Sequence, residues 1–279
     1  MVLPQFSLWP HAKPTEAAHS HRALVKDTVL FLAMVYTFFH IAHTADELTP
    51  EHQTLTFSAP QQIGSILAAI VMVITFVSDL FLLPHPTPDQ PKWQTIAIIG
   101  HCGFFTLQTL FLQTCYALVK CYAVCTGHLQ LMVVCYSLAL WVNTQGTALT
   151  LLFFKLNWYE PKWQRDIQKP MEQQYPGISF LWLLGHVPSL PVALFDALLL
   201  CEASVVAVHG AKLRTVVQVA FVYGAVYLLF AKVVQYSCAT LIYPFIKDIS
   251  SPVKCVGFVA VVGVAVSGMA FGLNVLMLR

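Results

Sequence analysis

Charge is what this sequence has least of. Lys and Arg number 15 and Asp and Glu 13 in 279 residues, 10% together, whereas 57% of the chain is hydrophobic. A soluble domain carries about a quarter charged residues, so an aqueous globular fold is excluded; the apolar excess also excludes a disordered chain. The net charge is only +2 and no Lys/Arg-rich stripe occurs, which removes the phosphate-neutralising footprint that a nucleic-acid partner requires. Eight Cys are too dilute for a disulfide-stapled module. Internal repeats, low-complexity tracts and a C-x-x-C-H haem-attachment motif are all missing. What remains is a multi-pass integral membrane protein whose first partner is the lipid bilayer.

Crossing a hydrocarbon core about 30 Å thick takes roughly 20 apolar residues. Seven such runs stand out, from Thr28 to Ala45, Ile63 to Leu83, Trp93 to Val119, Leu129 to Phe154, Ile178 to Val208, Arg214 to Leu241 and Cys255 to Leu278. The expected fold is therefore all-α, a polytopic transmembrane helical bundle. A six-helix core spans 63–278, one extra N-terminal membrane helix spans 28–45, and a polar, disordered tail covers 1–27. That tail is too long for a signal-peptide leader and no small-residue cleavage pattern follows it. Lys and Arg outside the runs number ten on the side of the N-terminus and four on the other. The positive-inside rule then places the N-terminus and the even-numbered loops in the cytoplasm.

Ionisable groups inside such helices cost several kcal/mol, so they face the bundle interior and mark pairing or function. They are Asp79, His101, His186, Asp196, Glu202 and Lys232. At 1.5 Å per residue, Thr95 lies about 3 Å, Asp79 about 6 Å, His101 and His186 about 12 Å and Lys232 about 13 Å inside the cytoplasmic surface. Asp196 and Glu202 fall toward the opposite face. The shared depth admits a catalytic reading: Thr95 as nucleophile, His186 as its base and Asp79 as the group that orients the base. Lys232 would then meet a carboxylate as a point charge and His101 would donate to an oxyanion. Each residue alone has a plainer reading. A helical Thr back-bonds to its own turn, an intramembrane His bridges helices, Asp79 is solvated or pairs with Lys92, and Lys232 snorkels.

Local sequence adds to this. Lys92-Trp93-Gln94-Thr95 at a helix start, Gly185-His186-Val187-Pro188-Ser189-Leu190-Pro191 running on to Asp196, and Tyr243-Pro244-Phe245 after the sixth run resemble segments of the androgen-induced protein family. The resemblance covers roughly Ile63 to Leu278. It implies a six-span hydrolase that cleaves fatty acid esters of hydroxy fatty acids, with Thr95 as nucleophile and His186 as base, and a lipid ester as partner. The chain departs from the pattern at Pro91, where the family has Trp, at Leu183 and Leu184 near its Asn-His pair, and at Val187 and Pro188, where it has Thr.

Other constellations point elsewhere or nowhere. Cys121, Cys125 and His128 have a C-x3-C-x2-H spacing, but a structural zinc site needs four ligands, and Cys115 and Cys135 lie within spans. No pairing of two His on facing helices suggests haem. No metal or organic cofactor is expected. Trp93, Trp158, Trp163 and Trp182 read as interfacial belt residues, and Gly257, Gly263 and Gly268 as close-packing positions. The rival reading is a non-enzymatic lipid-binding receptor or transporter in which His186, Lys232 and Asp79 form a buried polar network.

Overall fold

The structure, a computed structural model, describes residues 56–82, 104–238 and 243–279. The tail at 1–27, the helix expected at 28–45, and the candidates Thr95 and His101 lie outside the described residues. Among the described residues every regular element is helical, and five helices are long and apolar enough to cross a membrane, so the chain is a helical, multi-pass membrane protein.

Helix α1 spans Ala59–Val77 and continues into a π-helical turn over Ser78–Leu82. Its start is written in the sequence: Ser58 and Gln61 form a reciprocal capping box, with Gln61 Oε1 accepting from the Ser58 backbone N–H at 3.0 Å, and Pro60 sits in the first turn. One face presents Ile63, Leu67, Ile70 and Ile74 outward, while Gly64, Ala68, Met72 and Thr75 are buried. Apolar outside with small and polar side chains inside is the arrangement expected when the solvent is lipid.

Helix α2 spans Phe105–Thr126 and α3 spans Leu129–Phe153. Gly127 joins them at φ 69°, a left-handed conformation that ends α2 at little steric cost. α3 is the centre of the bundle, although it is not one of the five helices long and apolar enough to cross a membrane. Its run Asn143-Thr144-Gln145-Gly146-Thr147 is buried, because this helix faces protein rather than lipid on most of its circumference. At Gly146 the Gln113 amide of α2 packs into the space that a Cβ would occupy.

The fifth expected span is a broken helix. α4 (Ile178–His186) and α5 (Ser189–Phe195) meet at Pro188, a π-helical turn follows over Asp196–Leu200, and α6 (Ala203–His209) is separate. Pro188 and Pro191 donate no backbone N–H, which breaks the helix after His186, and extended backbone at Cys201 and Glu202 separates α6. Helices α7 (Leu213–Cys238) and α8 (Pro252–Met277) pack against each other, with Phe221 filling the space that Gly263 leaves open. Only 22% of each of these spans is buried, so the pair carries much of the lipid-facing surface.

The third expected run, Trp93 to Val119, is displaced at its end: α2 continues to Thr126 and takes Lys120 into the bundle. Lys120 therefore leaves the count of loop charges, and the ten-to-four asymmetry becomes ten to three. Glu202, expected inside the membrane, is exposed at the start of α6.

Candidate active site

The break at Pro188 shapes the surroundings of His186, the last residue of α4. Beyond it the Leu190 N–H reaches Val187 O rather than the carbonyl of residue 186. The His186 carbonyl accepts instead from the Thr150 hydroxyl of α3 at 2.5 Å. The imidazole is held on both flanks: it stacks on Phe153 with ring centroids 4.0 Å apart and planes 20° off parallel, and Nδ1 lies 2.7 Å from the Trp182 carbonyl. A carbonyl oxygen can only accept, so Nδ1 carries a proton, and in the neutral form of the ring the lone pair is at Nε2.

What Nε2 faces is Thr106. Its hydroxyl oxygen stands 3.3 Å away, from the second residue of α2. The sequence candidates for a hydroxyl and a second histidine, Thr95 and His101, fall outside the described residues; the threonine brought to His186 is eleven positions after Thr95. The sequence carries a signal for the helix start only: Gly103, a poor helix former, immediately precedes Phe104 and the apolar run that becomes α2.

Phe104, at the cap position of α2, has no side chain able to accept the free N–H groups of the first turn. Two tyrosines replace it. The Phe105 N–H donates to the Tyr227 hydroxyl at 2.9 Å and the Thr106 N–H to the Tyr243 hydroxyl at 3.5 Å. Tyr243 Oη is also 3.5 Å from Thr106 Oγ1. Tyr243 belongs to the Tyr-Pro-Phe segment noted in the sequence, and the turn Pro244–Lys247 that follows it is pinned by Lys232, whose Nζ donates to Ile246 O at 2.8 Å and to Gln235 Oε1 at 2.9 Å. Lys232 thus supports the turn that carries Tyr243 and is not itself among the side chains around the cavity.

Asp79 is buried in the π-helical turn after α1 and packs against Gly185, where a Cβ would come within 2.6 Å of its Oδ1. The proton on His186 Nδ1 goes to Trp182 O. The carbonyl occupies the position in which a carboxylate orients the base of other hydrolytic sites.

Thr106, His186 and Tyr243 open on a cavity of about 130 Å³ between α2, α3, α7 and α8. Leu149, Leu152, Phe153, Leu156, Phe258, Val262 and Val266 make most of its wall, with Gln145, Asn157, Tyr223 and Tyr227 as further polar groups. Such a chamber suits acyl chains: apolar walls with a few convergent polar atoms.

A second buried polar cluster lies elsewhere in the bundle, around Asp196. Its carboxylate accepts from Lys120 Nζ at 2.5 Å, the Tyr116 hydroxyl at 2.8 Å and Asn143 Nδ2 at 2.7 Å. Every partner is a donor, so the charge is fully compensated. Among the described residues no group of His, Cys, Asp and Glu is arranged to hold a metal ion, Cys121, Cys125 and His128 included. Comparison with known protein families, with curated proteins and with solved structures finds no match for the chain.

Proposed function

We propose that this protein is a membrane-embedded hydrolase of fatty-acyl esters, with Thr106 as nucleophile and His186 as general base, Thr106 standing in the role that the sequence assigns to Thr95. The observation that carries the reading is the line Trp182 O, His186 Nδ1, His186 Nε2, Thr106 Oγ1, with separations of 2.7 Å and 3.3 Å at its two hydrogen bonds. Working range for a general base is about 2.6–3.2 Å, and such bonds often tighten to it only when substrate binds.

In the proposed reaction Thr106 Oγ1 bonds to the ester carbonyl carbon while its proton passes to His186 Nε2. The tetrahedral intermediate then expels the alcohol, which leaves with that proton, and an acyl-threonine remains. Water repeats the sequence with the same base, releasing the fatty acid and restoring the hydroxyl. The position of Thr106 at the N-terminus of α2 favours negative charge developing on its oxygen. The substrate class that the resemblance implies is a fatty acid ester of a hydroxy fatty acid, and its chains would enter from the bilayer into the apolar cavity.

The test is covalent labelling of the detergent-solubilised protein with a long-chain alkyl fluorophosphonate, followed by peptide mapping. An adduct on Thr106 that disappears in Thr106→Ala and survives in Thr95→Ala supports the reading. Labelling that survives Thr106→Ala removes the nucleophile assignment and leaves the cavity as a lipid-binding chamber without chemistry.

A further inference from the structure

Resting on that reading, we infer that Tyr243 is a further catalytic residue, the side-chain donor that stabilises the oxyanion formed when Thr106 attacks an ester. The argument starts from the two helix-end amides. Tyr227 and Tyr243 accept from the N–H groups of Phe105 and Thr106 through lone pairs, so these two bonds do not use the phenol protons. Only Tyr243 stands next to the reacting oxygen, 3.5 Å from Thr106 Oγ1, and it faces the cavity.

In a tetrahedral intermediate the former carbonyl oxygen shares its carbon with Oγ1, so the two oxygens are close neighbours. A donor just outside contact with Oγ1, on the cavity side, is then placed to come within the roughly 2.7–3.1 Å that an oxyanion needs. Placement is secured from behind: Lys232 holds the Ile246 carbonyl, and Phe104 meets the Tyr243 ring edge-on at 6.0 Å between centroids. Lys232 is thereby a positioning residue that acts through the turn.

The experiment compares two ligands of the full-length protein in detergent, a long-chain alkyl trifluoromethyl ketone and its methyl ketone counterpart. The first forms a hemiketal: Thr106 Oγ1 bonds to the ketone carbon, the hydroxyl proton moves to His186 Nε2, and the ketone oxygen becomes the oxyanion. The second binds without bond formation, so it reports folding and cavity integrity in the same sample. Tyr243→Phe should weaken the trifluoromethyl ketone by about 10²-fold, the loss typical of one oxyanion donor, and leave the methyl ketone within about threefold. Lys232→Met should weaken the same ligand by a smaller factor. If Tyr243→Phe binds both ketones as the wild type does, with the hemiketal ¹⁹F resonance intact, the assignment is overturned. Equal weakening of both ketones overturns it too, since Tyr243 would then only hold the structure. Absence of a Thr106 hemiketal in the wild-type protein is a separate result: it removes the hydrolase reading itself, and the role of Tyr243 with it.

Discussion

Thr106 and His186, 80 residues apart in the chain, meet at 3.3 Å across the start of α2 and the end of α4. Neither element would place its residue without the other. The Pro188 break ends α4 at His186, and the turn at Gly127 returns α3 against α2.

The pair should act as a unit. Thr106→Ala and His186→Ala are each expected to lower ester turnover by about 10³-fold or more, and the double substitution by about the same factor as either alone. Turnover of a long-chain aryl ester by purified protein measures this. Additive losses would mean that the two side chains do not share one proton transfer.

Asp196 and Lys120 are buried to 3% and 1% exposure, so removing either partner leaves a charge stranded in the bundle. Lys120→Met and Asp196→Leu are each expected to cost about 3–5 kcal/mol in unfolding, and the double variant much less than the sum. Denaturation in mixed micelles gives the comparison. Ester turnover by the surviving folded fraction should be unaffected, because neither residue lines the cavity.

Outside the membrane, Glu172 holds the start of α4. Its carboxylate accepts from the Gly177 N–H at 2.7 Å and the Ser179 N–H at 2.9 Å, and these bonds, that from Gly177 first, draw its pKa below the ordinary carboxylate range. A carboxylate depressed on folding contributes stability above its unfolded pKa of about 4.3 and loses it as pH falls through the lower folded value. Amide exchange at Gly177 and Ser179, corrected for intrinsic rates, should therefore accelerate in acid below that range. Glu172→Gln should show faster exchange already at neutral pH and little acid dependence.

Gly185 permits the close approach of α4 to Asp79. Gly185→Ala places a methyl 2.6 Å from Asp79 Oδ1 and should destabilise the fold by about 1–3 kcal/mol while reducing turnover, since His186 is the next residue. Thermal unfolding and activity, read on the same samples, test both effects.

The helical, membrane-spanning character follows from composition and run length alone, because the bilayer demands long apolar segments with every backbone group paired inside them. His186 was legible too, as one of few ionisable residues within such runs, whereas the break at Pro188 lies inside a run expected to continue to Val208. Lys120 was misplaced, since a helix end and a loop charge look alike until a partner such as Asp196 is seen to draw the lysine inward.

The hydroxyl opposite His186 was a matter for the tertiary structure. Thr residues recur along the apolar runs, and which one meets an imidazole depends on where α2 begins and how α4 is broken against α3. Tyr243 was visible as a motif residue but not as a neighbour of Thr106, because that contact bridges 137 residues and rests on Lys232 gripping a backbone carbonyl. One-dimensional patterns report which side chains enter the membrane. Which of them touch is decided by packing at a scale of a few ångströms, where a single turn of helix changes every partner.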